Sequence, residues 1–172
     1  MLPTAEQPAA RAAAGPGPEL LAVAFNTHRD EPMDLIAFAN HSKVGAPGPA
    51  SAGGTGTARG IAGMYAAAIG ELDGRAPLLK PETLAECAKQ HTRGADLVTT
   101  DADRFALGFA RQPAVGPEAF GHSGAVAGAQ GFADPVTGIA YGYTRRRFAF
   151  PGGSAPENER LTAAVLGVAR GL

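Results

Sequence analysis

Asp134-Pro135-Val136-Thr137-Gly138 constrains this chain more than any other stretch. It has turn chemistry at every place, with Pro135 presetting φ and Gly138 free to take a positive φ. On its far side "GIAYGYTRRR" sets Ile139, Tyr141 and Tyr143 against Ala140, Gly142 and Thr144, the period-two signature of a strand. On its near side "SGAVAGAQGFA" is small and extended in character. Two extended stretches joined by such a corner predict an antiparallel hairpin. Upstream, "RFALGFAR" alternates Phe105, Leu107 and Phe109 with small residues and predicts a third, half-buried strand.

Helical patterns flank these strands. In "TARGIAGMYAAAIG", Thr57 is placed to cap a helix that carries Ala58, Ile61, Met64, Tyr65, Ala68 and Ile69 on one face. A turn at Asp73-Gly74 follows. "PETLAECAKQH" starts a second helix at Pro81, where a missing N–H costs nothing, with Leu84, Cys87, Ala88 and His91 as its apolar face. Near the end, Ser154 and Glu157 read as a capping box before a helix with Leu161, Ala164, Val165 and Val168 as its buried stripe. "ELLAVAF" and "MDLIAFA" are too short to be assigned to helix or strand, and "APGPASAGGTG" is a loop by composition. The order predicts an α/β protein of the α+β kind, an antiparallel sheet with helices packed on it. Residues 1–18 read as a flexible lead-in, and 19–172 as the folded part.

A 172-residue chain can bury roughly 70% of its unfolded surface. Glycine (24) and proline (14) together exceed a fifth of it, which predicts a loop-rich domain. A formal net charge of −1 provides no basic field for nucleic acid. The single cysteine excludes an internal disulfide framework. No apolar run approaches a membrane span, and residues 1–18 lack a basic region followed by an apolar one, so the expected compartment is the cytoplasm.

Four histidines, His28, His41, His91 and His122, have no metal-ligand spacing, so no metal and no cofactor are expected. Cys87 and His91 stand four apart but belong to an apolar stripe, and core packing is the expected role. Arg145-Arg146-Arg147 reads as a solvated strand end. That leaves "AFGHSGAVAGAQGFADP". Gly121-His122-Ser123-Gly124 resembles a G-x-S-x-G nucleophile elbow, but its fifth place is Ala125 and "GAVAGAQG" is a poor helix, which the elbow requires next. The other reading puts His122-Ser123-Gly124 on an edge strand beside a substrate. There Gly124 would let a ligand approach the backbone, Ser123 would offer a hydroxyl and His122 a proton. The N–H of Ala125 would then point at a developing oxyanion. The bland alternative is a histidine that hydrogen-bonds its own strand end.

The segment "FGHSGAVAGAQGFADPVTGIAYGYTRRR" resembles the C-terminal strands of the serine β-lactamase-related hydrolases: class C β-lactamases, penicillin-binding proteins and the related esterases. "GGTGTARGIAGMYAAAIG", "LLKPETLAE" and "ENERLTAAVLGVARGL" are similar to that family's Gly-rich loop and helices. The resemblance covers roughly residues 19–170. It implies a partial β-lactamase/penicillin-binding-protein-like fold and hydrolysis of a small-molecule ester or amide through an acyl-serine. His122 would occupy the place of the family's lysine in its Lys-Thr-Gly triplet, Ser123 would orient substrate, Gly124 would give clearance, and the N–H of Ala125 would form half of the oxyanion hole.

The family's nucleophile lies in S-x-x-K. Three places after Ser42, Ser51, Ser123 and Ser154 stand Gly45, Gly54, Val126 and Glu157, and Ser42-Lys43 is adjacent instead of i,i+3. No Tyr-x-Asn follows Tyr65, Tyr141 or Tyr143. The expectation is therefore a C-terminal portion of such an enzyme, inactive alone, with uncovered surface inviting self-association. A non-catalytic binding or regulatory remnant, or one chain of a split enzyme, are the alternatives.

Overall fold

The structure, a computed structural model, describes residues 19–24, 28, 30, 35–48, 54–96, 104–124, 128–146 and 156–171. Among these residues, ten elements follow in chain order: α1 (Glu19–Ala24), α2 (Leu35–Asn40), α3 (Ser42–Gly45), α4 (Ala58–Ile69), α5 (Pro81–Ala88), β1 (Ala110–Arg111), β2 (Phe120–Ser123), β3 (Gln130–Asp134), β4 (Ile139–Tyr143) and α6 (Pro156–Ala169). The four strands form one antiparallel sheet in the order β1-β2-β3-β4. The two short segments that the pattern left undecided are α1 and α2.

The hairpin forms where the corner predicts it. β3 pairs with β4 from Gln130↔Tyr143 to Asp134↔Ile139, and Gly138 takes a φ of 71°. Asp134, only 1% exposed, holds the corner together. One carboxylate oxygen accepts from the Val136 N–H at 3.2 Å and the other from the Thr137 hydroxyl at 2.8 Å. Asp73 and Gly74 likewise form a tight turn with φ values of 52° and 73° between the paired Leu72 and Arg75.

Helix α4 begins as its sequence predicts, the Thr57 side chain accepting from the Gly60 N–H at 3.1 Å. It then lies close against the sheet over Gly131 and Gly142, which are cross-strand partners. A Cβ on Gly142 would stand 2.2 Å from the Ala58 carbonyl oxygen, and one on Gly131 would stand 2.5 Å from Ile61. The bare backbone is what lets helix and sheet approach. Tyr65, Cys87, Phe120 and Ala133 form the core on this face, with Phe109 and Phe120 edge-on at 5.0 Å. Val115, Ala119, Phe132 and Leu166 form the core on the other face, where α6 packs, and Phe132 stacks on Tyr141 at 4.9 Å.

Four expectations need correction. "RFALGFAR" is not one strand: Gly108 takes a φ of 74°, and Phe105 pairs back onto Ala110 in a small hairpin of its own. The turn leaves Phe105 and Leu107 exposed and sends only Phe109 to the core. Met64 is exposed, off the buried row of α4. His91 lies beyond α5, which ends at Ala88, and its ring faces Glu86 at 3.0 Å instead of sharing a helical face with Cys87.

The fourth correction is the largest. Leu161, Val165 and Val168 of α6 face outward, and Asn158 and Leu166 are buried instead. The helix is rotated by what the sheet offers it. The Tyr141 hydroxyl donates to Asn158 Oδ1 at 2.5 Å, and Asn158 Nδ2 donates to Gln130 Oε1 at 2.5 Å. Gln130 continues to Gln112 at 3.3 Å, and Arg170 donates to the Val115 carbonyl at the helix end. A buried amide with every group bonded outweighs the apolar stripe beside it. The predicted lead-in, Ser154 of the capping box and Arg147 lie outside the described residues.

Candidate active-site edge

The strand β2 carries the His122-Ser123-Gly124 triplet at its C-terminal end. β1 pairs only with Phe120 and Gly121, so among the described residues His122 and Ser123 have no strand neighbour on the outer edge. On the inner side they pair with Gly131 and Gln130 of β3. The Gly124 N–H donates to the Ala129 carbonyl at 2.7 Å, closing the strand pair. Ser123 is paired with Gln130, so the serine lies inside an antiparallel strand pair and not at the strand-to-helix turn of a nucleophile elbow. Ala125, the expected oxyanion donor, lies outside the described residues.

Successive side chains on a strand point to opposite faces. His122 therefore shares the α4 face with Gly131, while Ser123 shares the α6 face with Gln130. The two groups are neighbours in sequence and cannot form a nucleophile–base pair. The His122 ring is exposed and stands 6.1 Å from the Phe105 ring, centroid to centroid. Its Nδ1 lies 2.7 Å from the Ser123 carbonyl oxygen, which can only accept, so Nδ1 carries the proton. In the neutral ring Nε2 is then the atom that takes up a proton. The strand-end hydrogen bond of the bland reading is present, and it leaves the reactive nitrogen for something else.

Tyr65 adds a group that the sequence did not single out for chemistry. It sits on α4 at 5% exposure, between Phe109 and Phe120. Burial pushes its hydroxyl up to about 12, and a hydrogen bond with the His122 backbone pulls in the other direction. A buried tyrosine needs a partner for its hydroxyl. The backbone at His122 is the group that faces this hydroxyl. The only sequence signal was a lone tyrosine on a stripe of small residues.

Arg145 does not stand unpaired at its strand end. It meets Glu157 at 3.0 Å, and Glu157 also accepts from the Tyr143 hydroxyl at 3.0 Å. A hydrogen bond to its own backbone, then the one from Tyr143, hold the Glu157 carboxyl below its ordinary range. Among the described residues no group of three or more His, Cys, Asp or Glu side chains is placed to hold a metal ion, and no helix is long and apolar enough to cross a membrane.

A family model described as beta-lactamase matches residues 1–165. Among solved structures, EstA from Arthrobacter nitroguajacolicus Rue61a is 35% identical and superposes with a TM-score of 0.72. The match covers 81% of this chain and 39% of EstA, so the chain spans well under half the length of that protein. No curated protein sequence matches.

Proposed function

Since the chain belongs to the beta-lactamase family and has its serine-hydrolase type of fold, we propose that the end of β2 is the substrate-side wall of an esterase-type acyl hydrolase whose nucleophile lies outside these 172 residues. One observation carries this reading: an exposed imidazole, with Nε2 open to protonation, on a strand edge that β1 leaves uncovered. Such an edge offers main-chain groups to an extended acyl substrate, and the imidazole can accept or return a proton during acyl transfer. His122 is the proton carrier in this proposal. Ser123 and Gly124 line the edge, and the N–H of Ala125 donates to the oxyanion.

The chemistry needs a serine activated by a base. None of the four serines has a lysine three places on, and Ser123 faces away from His122. Without the nucleophile, oxyanion and binding contributions give roughly 10³-fold over water at best. The full chain is therefore expected to resist labelling by a fluorophosphonate probe and to hydrolyse p-nitrophenyl butyrate no faster than free imidazole does. A longer polypeptide, in which an S-x-x-K segment precedes the same residues, is expected to turn the ester over. Replacing His122→Ala there should lower kcat/KM by about 10²-fold or more. Stoichiometric labelling of the chain alone would sink the proposal, as would an indifferent His122→Ala. Saturable ester binding without turnover in the longer polypeptide would favour the second reading, a binding module that keeps the wall and has lost the chemistry.

A further inference from the structure

A cavity of about 560 Å³ lies between α5 and the loop that joins β1 to β2. That is within the size range of small-molecule sites. One wall is the row Pro81, Leu84, Ala85 and Ala88, an i, i+3, i+4, i+7 face of α5, and Pro117 and Pro135 line it as well. No residue of the His122 edge belongs to its lining.

The polar groups at this cavity are Gln90, whose amide donates to the Thr92 carbonyl, and three charged groups of mixed sign, Arg111, Lys89 and Glu118. Lys89 is already paired with Glu86 on its own helix at 3.2 Å. Arg111 is half-buried, and its Nη2 donates to the Pro117 carbonyl at 3.1 Å. That bond fixes one arm of the guanidinium and leaves its other N–H groups to a ligand. Among the described residues no carboxylate lies within ion-pairing distance of Arg111. A planar fork prefers a carboxylate, and Glu118 beside it disfavours a dianion such as a phosphate.

We propose that this cavity binds short-chain monocarboxylates, the alkyl tail against the Pro81–Leu84–Ala88 wall and the carboxylate on Arg111. The site does not depend on the esterase reading of β2. Titration of the full chain with hexanoate, followed by amide chemical shifts, should give saturable changes confined to residues 81–90, 111–118 and their neighbours. Hexanol, which keeps the tail and loses the charge, should bind at least about tenfold more weakly, and Arg111→Gln should cost a similar factor for hexanoate. Arg111→Lys should recover part of it.

Hexanoate shifts centred on His122, equal binding of hexanol, or an unchanged Arg111→Gln would each overturn the proposal. So would the absence of saturation at millimolar hexanoate. Should Arg111→Gln unfold the chain, Ala85→Trp fills the cavity from an exposed position of α5. It should abolish binding in a folded protein, and binding that survives it would equally overturn the assignment.

Discussion

Replacing Asn158→Leu tests whether polar partners, and not the apolar stripe, orient the C-terminal helix. Asn158 is fully buried, accepts from the Tyr141 hydroxyl and donates to Gln130, both at 2.5 Å. Leucine fills a similar volume, so the main cost comes from the groups left behind. A buried donor or acceptor stranded without a partner costs about 1–3 kcal/mol, and two are stranded here, which gives roughly 4 kcal/mol. A domain of this length moves by about 2–4 °C per kcal/mol, so Tm should fall by roughly 8–16 °C. Adding Tyr141→Phe removes one stranded group, and the double variant should regain about half of the loss. Urea unfolding followed by circular dichroism, on the two single variants and the double, measures the coupling between them. A cost for Asn158→Leu within about 0.5 kcal/mol of zero, or strict additivity with Tyr141→Phe, would refute the assignment of the helix's orientation to this network.

Two glycine substitutions should have opposite signs. Gly142→Ala places a Cβ against the Ala58 carbonyl oxygen and should destabilise by about 1–3 kcal/mol, whereas Gly63→Ala, inside α4 with open space around it, should stabilise by about 0.5–1 kcal/mol. Paired melting curves decide both, and like signs would contradict the close approach of helix and sheet. The Tyr65 hydroxyl, raised from 10.0 to about 12, gives an alkaline signature. The folded state holds this proton more tightly, so its contribution is complete below pH 10 and is lost as the pH rises through about 12. Allowing for partial solvent access, the loss is roughly 2 kcal/mol, and it should vanish in Tyr65→Phe. An alkaline slope unchanged by Tyr65→Phe would place the shift elsewhere.

The parts of the fold that could be read from sequence are those governed by local chemistry. Thr57, Pro81, Asp73-Gly74 and the Asp134–Gly138 corner each act on residues within a few places of themselves, and each stands where its residues predict. Hydrophobic periodicity did worse. It misplaced the buried face of α6 because Asn158 looks like a surface residue until Tyr141 and Gln130 are brought beside it. It merged Phe105 to Phe109 into one strand because a single glycine at positive φ folds the segment back without disturbing the alternation. At the candidate site, His122 and its strand could be found from the triplet. Tyr65 could not, because its link to His122 spans two elements far apart in the chain.

The bare backbone beneath α4 also works as a key for strand alignment. His122, Gly131 and Gly142 form one row across β2, β3 and β4. Sliding the hairpin by a single residue would bring Phe132 or Tyr141 under the helix, into space where even a methyl group lies 2.2–2.6 Å from its neighbours. The same slip would set His122 opposite Gln130 or Phe132 instead of Gly131. Steric exclusion at two glycines therefore dictates which residue of β3 stands opposite His122. A substitution at Gly131 or Gly142 that left the chain folded in a shifted alignment would change the residues across from His122, although the imidazole itself would be intact.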